Sequence, residues 1–332
     1  MRGYRSIIAV AVILALIPLV VTSNLWLNIA FTALLACLLG QGWNILGGYA
    51  GQFSFGHAVF FGTGAYVTAI VMTTTGINPW AAFVLGIGGG ALVGAAIGFL
   101  VFRYGLRGSY FALVTLAFAE VFRVLANTMA ITGGGSGLVV ASNLRPEIFQ
   151  QTSRLGAYAV AAVLVVGVLF ITRALENSRT GAYFVAIREN EDAARALGVD
   201  PFGFKLRAIV LSAAITAMGG ALYVQVFPYI DAPLMYGPRY SVEALLVPII
   251  GGMGTVFGPL LGAVVLHLLA EAATMVTGDI AGLNLVLYGL VLVLMVRFLP
   301  RGLIGLFDPR VPKARLPLPR IAGRRRREAG DA

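Results

Sequence analysis

Six ionisable side chains fall inside apolar stretches of this 332-residue chain, and they set what chemistry it can do. Such groups cost about 3 kcal/mol or more at bilayer depth, so each marks either a paired structural contact or a functional route. Glu120 and Arg123, in YFALVTLAFAEVFRVLA, stand three apart on one helical face, where they pair with each other or belong to a path. His267 and Glu271, four apart, are placed to satisfy each other, and Glu243 lies near enough to the end of its run to reach water. His57 follows Gly56; it is expected to bond a neighbouring carbonyl, with a proton or substrate ligand as the alternative. Two histidines and the single Cys37 cannot assemble a nitrogen and sulfur metal cluster, so no metal is expected. A phosphate-binding loop needs glycines followed by Lys and Ser or Thr, and neither Lys205 nor Lys313 stands in that context. With no nucleophile elbow or zinc-protease pattern either, the residues argue against an enzyme. Energy for any transport enters from another subunit or from an ion gradient.

Two further stretches carry polar groups among glycines. GGYAGQFSFGHAVFFGTGAY, from Gly47 to Tyr66, holds six glycines with Gln52, Ser54 and His57, and PIIGGMGTVFGPLLGA holds Gly252, Gly254 and Thr255. A glycine weakens a helix interior by about 1 kcal/mol relative to alanine, so a segment that only sat in lipid would avoid it. Irregular backbone at membrane depth is tolerated where protein or a water-filled cavity satisfies it, as around translocation paths. Gln52, Ser54, His57, Glu120, Gly252, Gly254 and Thr255 are therefore candidates for lining or gating a path; for the first stretch, a plain turn on the inner face stays open. Gly86, Gly90, Gly94 and Gly98 recur every four residues and predict a bare stripe for close helix packing, and Gly254, Gly258 and Gly262 repeat the spacing.

The elements that position these groups are membrane helices. At 59% hydrophobic and 11% charged, against about 25% charged in a soluble domain, the chain reads as an all-α, polytopic transmembrane bundle. Runs near 7–22, 28–46, 57–75, 80–102, 109–130, 156–173, 207–228, 241–253, 258–276 and 283–299 predict about ten crossings; eight survive if the segment near 250 is re-entrant. With the N-terminus inside, the inner gaps collect Arg2, Arg5, Arg103, Arg107, Arg173, Arg179, Arg188, Arg195, Lys205, Arg207 and Arg297, the outer ones only Arg145, Arg154 and Arg239. Both termini are thus expected on the cytoplasmic side. Residues 1–300 form the transmembrane domain, with a cytoplasmic loop at about 174–206, and 301–332 a basic cytoplasmic tail expected to be disordered at its end. The net charge of +10 is read as a topology determinant and not as a nucleic-acid footprint. The N-terminal run mimics a signal peptide, but the charge pattern requires it as the first membrane helix.

The loop RALENSRTGAYFVAIRENEDAARALGVDPFGFKLRA predicts a short helix, Asn190 to Leu197, acidic in its first turn and stopped by Gly198. Asp192, Ala193, Ala194 and Gly198, preceded by Glu191, resemble the Glu-Ala-Ala-x-x-x-Gly signature by which importer-type ABC permeases contact their ATPases, with Asp in place of Glu. Taken with KLRAIVLSAAITAMGGALY, GQFSFGHAVFFGTGAY, LRGSYFALVTLAFAEVFR, TGGGSGL, SRTGAYFVAIREN, GGMGTVFGPLLGA and LPRGLIGL, the chain closely resembles permeases of branched-chain amino acid ABC importers, of the LivM type. The resemblance implies a homologous second permease, two cytoplasmic ATPase subunits that use ATP and Mg, an extracytoplasmic substrate-binding protein, and the bacterial inner membrane. No cofactor is expected in this chain. The implied cargo is Leu, Ile or Val, with urea, amides and other small amino acids carried by relatives; an ion-coupled secondary transporter using Glu120 or Glu271 is the rival reading.

Overall fold

The computed structural model describes residues 2–20, 23–140, 154–277 and 302–306, with isolated positions between 283 and 299. Arg145, most of the tenth apolar run and the tail from 307 lie outside the described residues. Among the described residues twelve α-helices have both ends placed: α1 (Arg2–Val20), α2 (Asn24–Trp43), α3 (His57–Thr75), α4 (Pro79–Arg103), α5 (Ser109–Thr128), α6 (Arg154–Glu176), α7 (Arg179–Glu189), α8 (Glu191–Ala196), α9 (Pro201–Val226), α10 (Ala232–Met235), α11 (Pro238–Gly251) and α12 (Gly258–Thr277).

Seven of the described helices are long and apolar enough to cross a membrane: α2 extended to Tyr49, α3, α4, α5, α6, α9 and α12 as far as Met275. The first apolar run forms α1. The eighth forms α11, whose 14 residues span only about 21 Å, short of a hydrocarbon core of about 30 Å.

Helix α2, with α9, forms the centre. Trp43, Phe31, Leu38, Leu39 and Ile45 are fully buried, and α2 packs against α6, α9, α11 and α12. The stripe of α4 is confirmed in place. A side chain at Gly90, Gly94 or Gly98 would run into Ala217, Ala213 or Ile209 of α9, so these glycines set the α4–α9 separation. In lipid, where burial of apolar surface drives no helix association, this contact of backbones supplies the packing energy. The second stripe differs from its expectation. Gly254 lies in the loop before α12, while Gly258 packs against the Gly252 carbonyl and Gly262 against the Val247 carbonyl of α11, because a break at Gly252 turns the chain back on itself.

Alternate gaps gather at opposite ends of the bundle. At one end, residues 104–108 meet α8 through Arg107–Glu191, and Arg188 of α7 touches Gly48, Gly51 of the 50–56 connection and Gly254 of the 252–257 loop. At the other, the α5–α6 and α9–α10 connections pair as a two-stranded antiparallel ribbon, β1 (Leu138–Val139) with β2 (Tyr229–Ile230), Leu138 opposite Ile230.

Candidate functional site

Between α2 and α3 the helix widens into a π-helical segment at Asn44–Tyr49 and then straightens from Ala50 to Gly56. The three candidates named from that stretch, Gln52, Ser54 and His57, each find a protein partner. The Trp43 indole donates to the Ser54 carbonyl at 2.8 Å, and the Ser54 hydroxyl accepts from the Gly56 amide at 3.2 Å. His57, fully buried, sits between two hydroxyls: its Nε2 lies 2.9 Å from Ser212 Oγ of α9 and its Nδ1 3.2 Å from Ser54 Oγ. The expected carbonyl partner is thus replaced by two serines, and the ring ties α3 to α9. The Gln52 amide donates locally to the Ala50 carbonyl at 3.1 Å.

The 252–257 loop lies against this break. Asn44 holds it twice, accepting from the Gly254 amide at 2.7 Å and donating to the Thr255 carbonyl at 2.9 Å, while Gln41 donates to the Val256 carbonyl at 2.7 Å. Thr255 closes the loop on itself, donating to the Gly252 carbonyl at 2.8 Å and accepting from the Gly258 amide at 3.0 Å. Arg188, the penultimate residue of α7, reaches across and donates to the Gly48 carbonyl at 2.7 Å; its guanidinium lies over both Gly48 and Gly254. Thus one arginine touches both glycine-rich segments. Asn44, Gln41, Arg188 and Ser212 were not singled out as site residues from sequence; the signal that could have found the first two is the polar interruption QGWN within an apolar run.

Replacing Asn44 by alanine leaves the Gly254 amide and Thr255 carbonyl without partners, at about 1–3 kcal/mol for each buried group. The thermal unfolding midpoint in detergent should fall by roughly 5 °C. Gln52→Ala, which removes only a local bond, should leave it unchanged, and equal midpoints for both variants would refute the anchoring role.

The loop helix forms as predicted, one residue shorter at each end, as α8. Asn190 caps it, accepting from the Asp192 and Ala193 amides at 3.1 and 3.0 Å, and Gly198 ends it at φ +84°. Ala194 is buried against the bundle, Ala193 and Asp192 face outward, and Leu197 is 85% exposed. Glu191 fixes the helix in place. Its carboxylate meets Lys205 of α9 at 2.5 Å, Arg107 of the α4–α5 connection at 3.1 Å and Arg195 of its own helix at 3.4 Å. Lys205 also stands over the Phe102 ring, with its Nζ 5.7 Å from the centroid. A cavity of about 60 Å³ opens beside these groups.

Among the remaining ionisable residues, Glu120 and Arg123 do pair, on the open face of α5 and apart from the contacts above. His267 bonds the Ala263 carbonyl at 3.1 Å and faces Glu243 at 3.6 Å, not Glu271 as its spacing suggested. The reason is tertiary: α11 packs along α12 and turns Glu243 inward. Among the described residues no group of three or more His, Cys, Asp or Glu is placed to hold a metal ion.

A family model described as branched-chain amino acid transport system / permease component matches residues 25–296. The chain is 30% identical over 308 residues to the high-affinity branched-chain amino acid transport system permease protein LivM of Escherichia coli K12, covering 86% of this chain and 71% of that protein. To LivH of the same organism it is 23% identical over 284 residues, 81% of this chain and 90% of LivH. To the L-arabinose ABC transporter permease protein AraH of Azospirillum brasilense it is 26% identical over 213 residues, 62% of this chain and 61% of AraH. No solved structure matches. With a family match that runs through almost every described helix and a 30% identical relative of which it covers more than two thirds, this chain belongs to the branched-chain amino acid transport system permease family.

Proposed function

We propose that this chain is the permease subunit of an ATP-driven importer that carries branched-chain amino acids, or a related small amino acid, amide or urea, across the bacterial inner membrane. It crosses the membrane an even number of times with both termini in the cytoplasm, ten when the short α11 is counted as a crossing. The arginine-rich end of the bundle, which holds α7 and α8, is the cytoplasmic one. It works with a homologous second permease, two ATPase subunits that bind ATP and Mg, and an extracytoplasmic binding protein that delivers the substrate. The permease itself performs no hydrolysis.

One observation carries this reading: a six-residue helix, too short to be stable alone, is fixed to the bundle by the half-buried Glu191 carboxylate on buried Lys205, while its outward side presents Asp192 and Leu197. That is a rigid lever with a docking tip. Around it, Glu191, Asp192, Ala193, Ala194 and Gly198 form the coupling element. When ATP closes the ATPase dimer, α8 and α7 move together, and Arg188 passes the motion to Gly48 and Gly254. The 50–56 and 252–257 segments, with Gln52, Ser54, His57, Gly252, Gly254 and Thr255, act as the inner gate, and Glu120 lines the path. Alternating access then follows from rigid movement of packed helices around that gate.

The test is Gly198→Leu in the complete transporter reconstituted in liposomes. An added Cβ at Gly198 meets nothing within 4 Å in this chain, so the variant inserts with only the backbone strain of about 1–2 kcal/mol that φ +84° imposes. Hydrolysis by the ATPase subunits should persist while uptake of labelled leucine drops about tenfold or more, about 1.4 kcal/mol of coupling. Unchanged uptake removes the coupling role. Gradient-driven uptake by this chain alone would overturn the importer reading.

A further inference from the structure

Helix α5 carries an ion pair where a lipid-facing helix would have none. Glu120 is the twelfth of its 20 residues, roughly 16 Å from the start of a helix about 30 Å long, and thus near mid-membrane. Its side chain is nonetheless 59% exposed, and that of Arg123 32%. The guanidinium meets the carboxylate through two bonds, Nε to Oε2 at 2.8 Å and a terminal nitrogen to Oε1 at 2.5 Å. The opposite face of α5, with Phe111, Ala112, Thr115, Ala119 and Ala126, is buried against this chain. The ion pair therefore stands on the face that the chain leaves open. Two charges turned to hydrocarbon would cost several kcal/mol, so that face is turned to water or protein and not to lipid.

Around Glu120 the neighbours are aliphatic, while exposed Asn127 follows Arg123 by one turn. Leu116 lies one turn before Glu120 and Val124 one turn after, with Leu113 a turn beyond Leu116, and all three are exposed. A charge fork inside a strip of branched aliphatic side chains matches one kind of solute: a zwitterion bearing a short aliphatic side chain. We propose that Glu120 and Arg123 form a substrate-reading site on the translocation path, the guanidinium receiving the α-carboxylate of an amino acid and the Glu120 carboxylate its α-ammonium, with the side chain laid against Leu116 and Val124. This rests on the importer reading above and names the residues that recognise its cargo.

Energetically the exchange is nearly even. One internal ion pair opens and two are made with the solute, so no charge is left unpaired at either stage. The pair closes again when the solute leaves, which gives a site favourable enough to enter and weak enough to release. A single unpaired arginine or glutamate would instead hold the substrate, or a stray ion, too tightly.

Two measurements on the complete transporter, with both permeases, the ATPases and the binding protein, decide the matter. The first is the double variant Glu120→Gln/Arg123→Gln, which removes both charges and leaves neither unpaired. Uptake of labelled leucine should fall more than tenfold, while assembly with the second permease by size exclusion and ATPase stimulation by the loaded binding protein are retained. Arg123→Lys should keep part of the uptake. Near-normal uptake in the double variant, or loss of the second permease from the complex, would show a structural or interface pair and overturn the proposal. The second uses Ala117→Cys, one turn before Glu120, with the native Cys37 buried. A hydrophilic, membrane-impermeant thiol reagent should modify it in the wild-type charge background, and millimolar leucine should slow the modification severalfold. A thiol that is unreactive, or that reacts at the same rate with leucine present, contradicts the site. Absence of ATP-driven uptake in the unmutated transporter would count against the importer reading itself and so is distinguishable.

Discussion

Glu191→Gln should detach α8 from the bundle. The carboxylate is 15% exposed and is shared by Lys205, Arg107 and Arg195, and the lysine side chain is only 5% exposed. Neutralising it leaves a buried ammonium beside two guanidinium groups, and breaking a buried pair in this way costs about 3–5 kcal/mol. A helix of six residues has no stability of its own to absorb that loss. Hydrogen exchange at residues 192–197 should therefore speed up by about a hundredfold or more, and coupled uptake should fall at least as far as in Gly198→Leu. Lys205→Met is the milder change, because the carboxylate keeps two arginines, and the double variant Glu191→Met/Lys205→Met should recover protection, since a buried pair replaced by apolar groups of similar volume is often neutral. Exchange in Glu191→Gln indistinguishable from wild type would show that the ion pair does not hold the helix.

The second large effect belongs to the crossing of α3 and α9. A Cβ at Gly220 would fall on the Phe61 carbonyl, with the Ala65 amide at 3.0 Å, and at Gly64 it would meet the backbone of Ala217. Neither neighbour is a side chain that can rotate away, so Gly220→Leu forces the helices apart at the place where His57 and Ser212 join them. Overpacking of this kind costs about 1–3 kcal/mol or more, and here it acts on backbone at the centre of the bundle. The expected result is little monodisperse protein after detergent extraction, followed by fluorescence on a sizing column. Gly88→Leu is the matched control: it is exposed on α4 with nothing within 4 Å of the added Cβ, and it should extract like wild type or better, since leucine is the stronger helix former. Equal losses for the two would mean that added bulk alone, and not the backbone contact, decides the outcome.

The contacts described above differ in how well the sequence disclosed them. The α4 stripe and the loop helix α8 were legible because both are local: a four-residue spacing fixes one helical face, and Asn190 with Gly198 marks a helix start and stop. The Glu120–Arg123 pair was legible for the same reason. Lys205 carried a faint signal, being the only lysine before residue 300, but nothing in its neighbourhood names Glu191 as its partner. The misreading of His267 has the same origin. Spacing of four offered Glu271, while the partner came from a different helix.

Composition, the periodicity of apolar runs and the placement of arginines determined that this is a many-helix membrane protein, because the hydrocarbon core dictates length and polarity to each segment independently of the others. Motif order along the chain determined its family for a similar reason: it needs no knowledge of contacts. What only the tertiary structure decided is which polar groups meet. Asn44 with Gly254, Arg188 with Gly48, His57 with Ser212 and Glu191 with Lys205 join residues from different elements, and a low-dielectric interior makes each polar group wait for whichever partner the packing delivers.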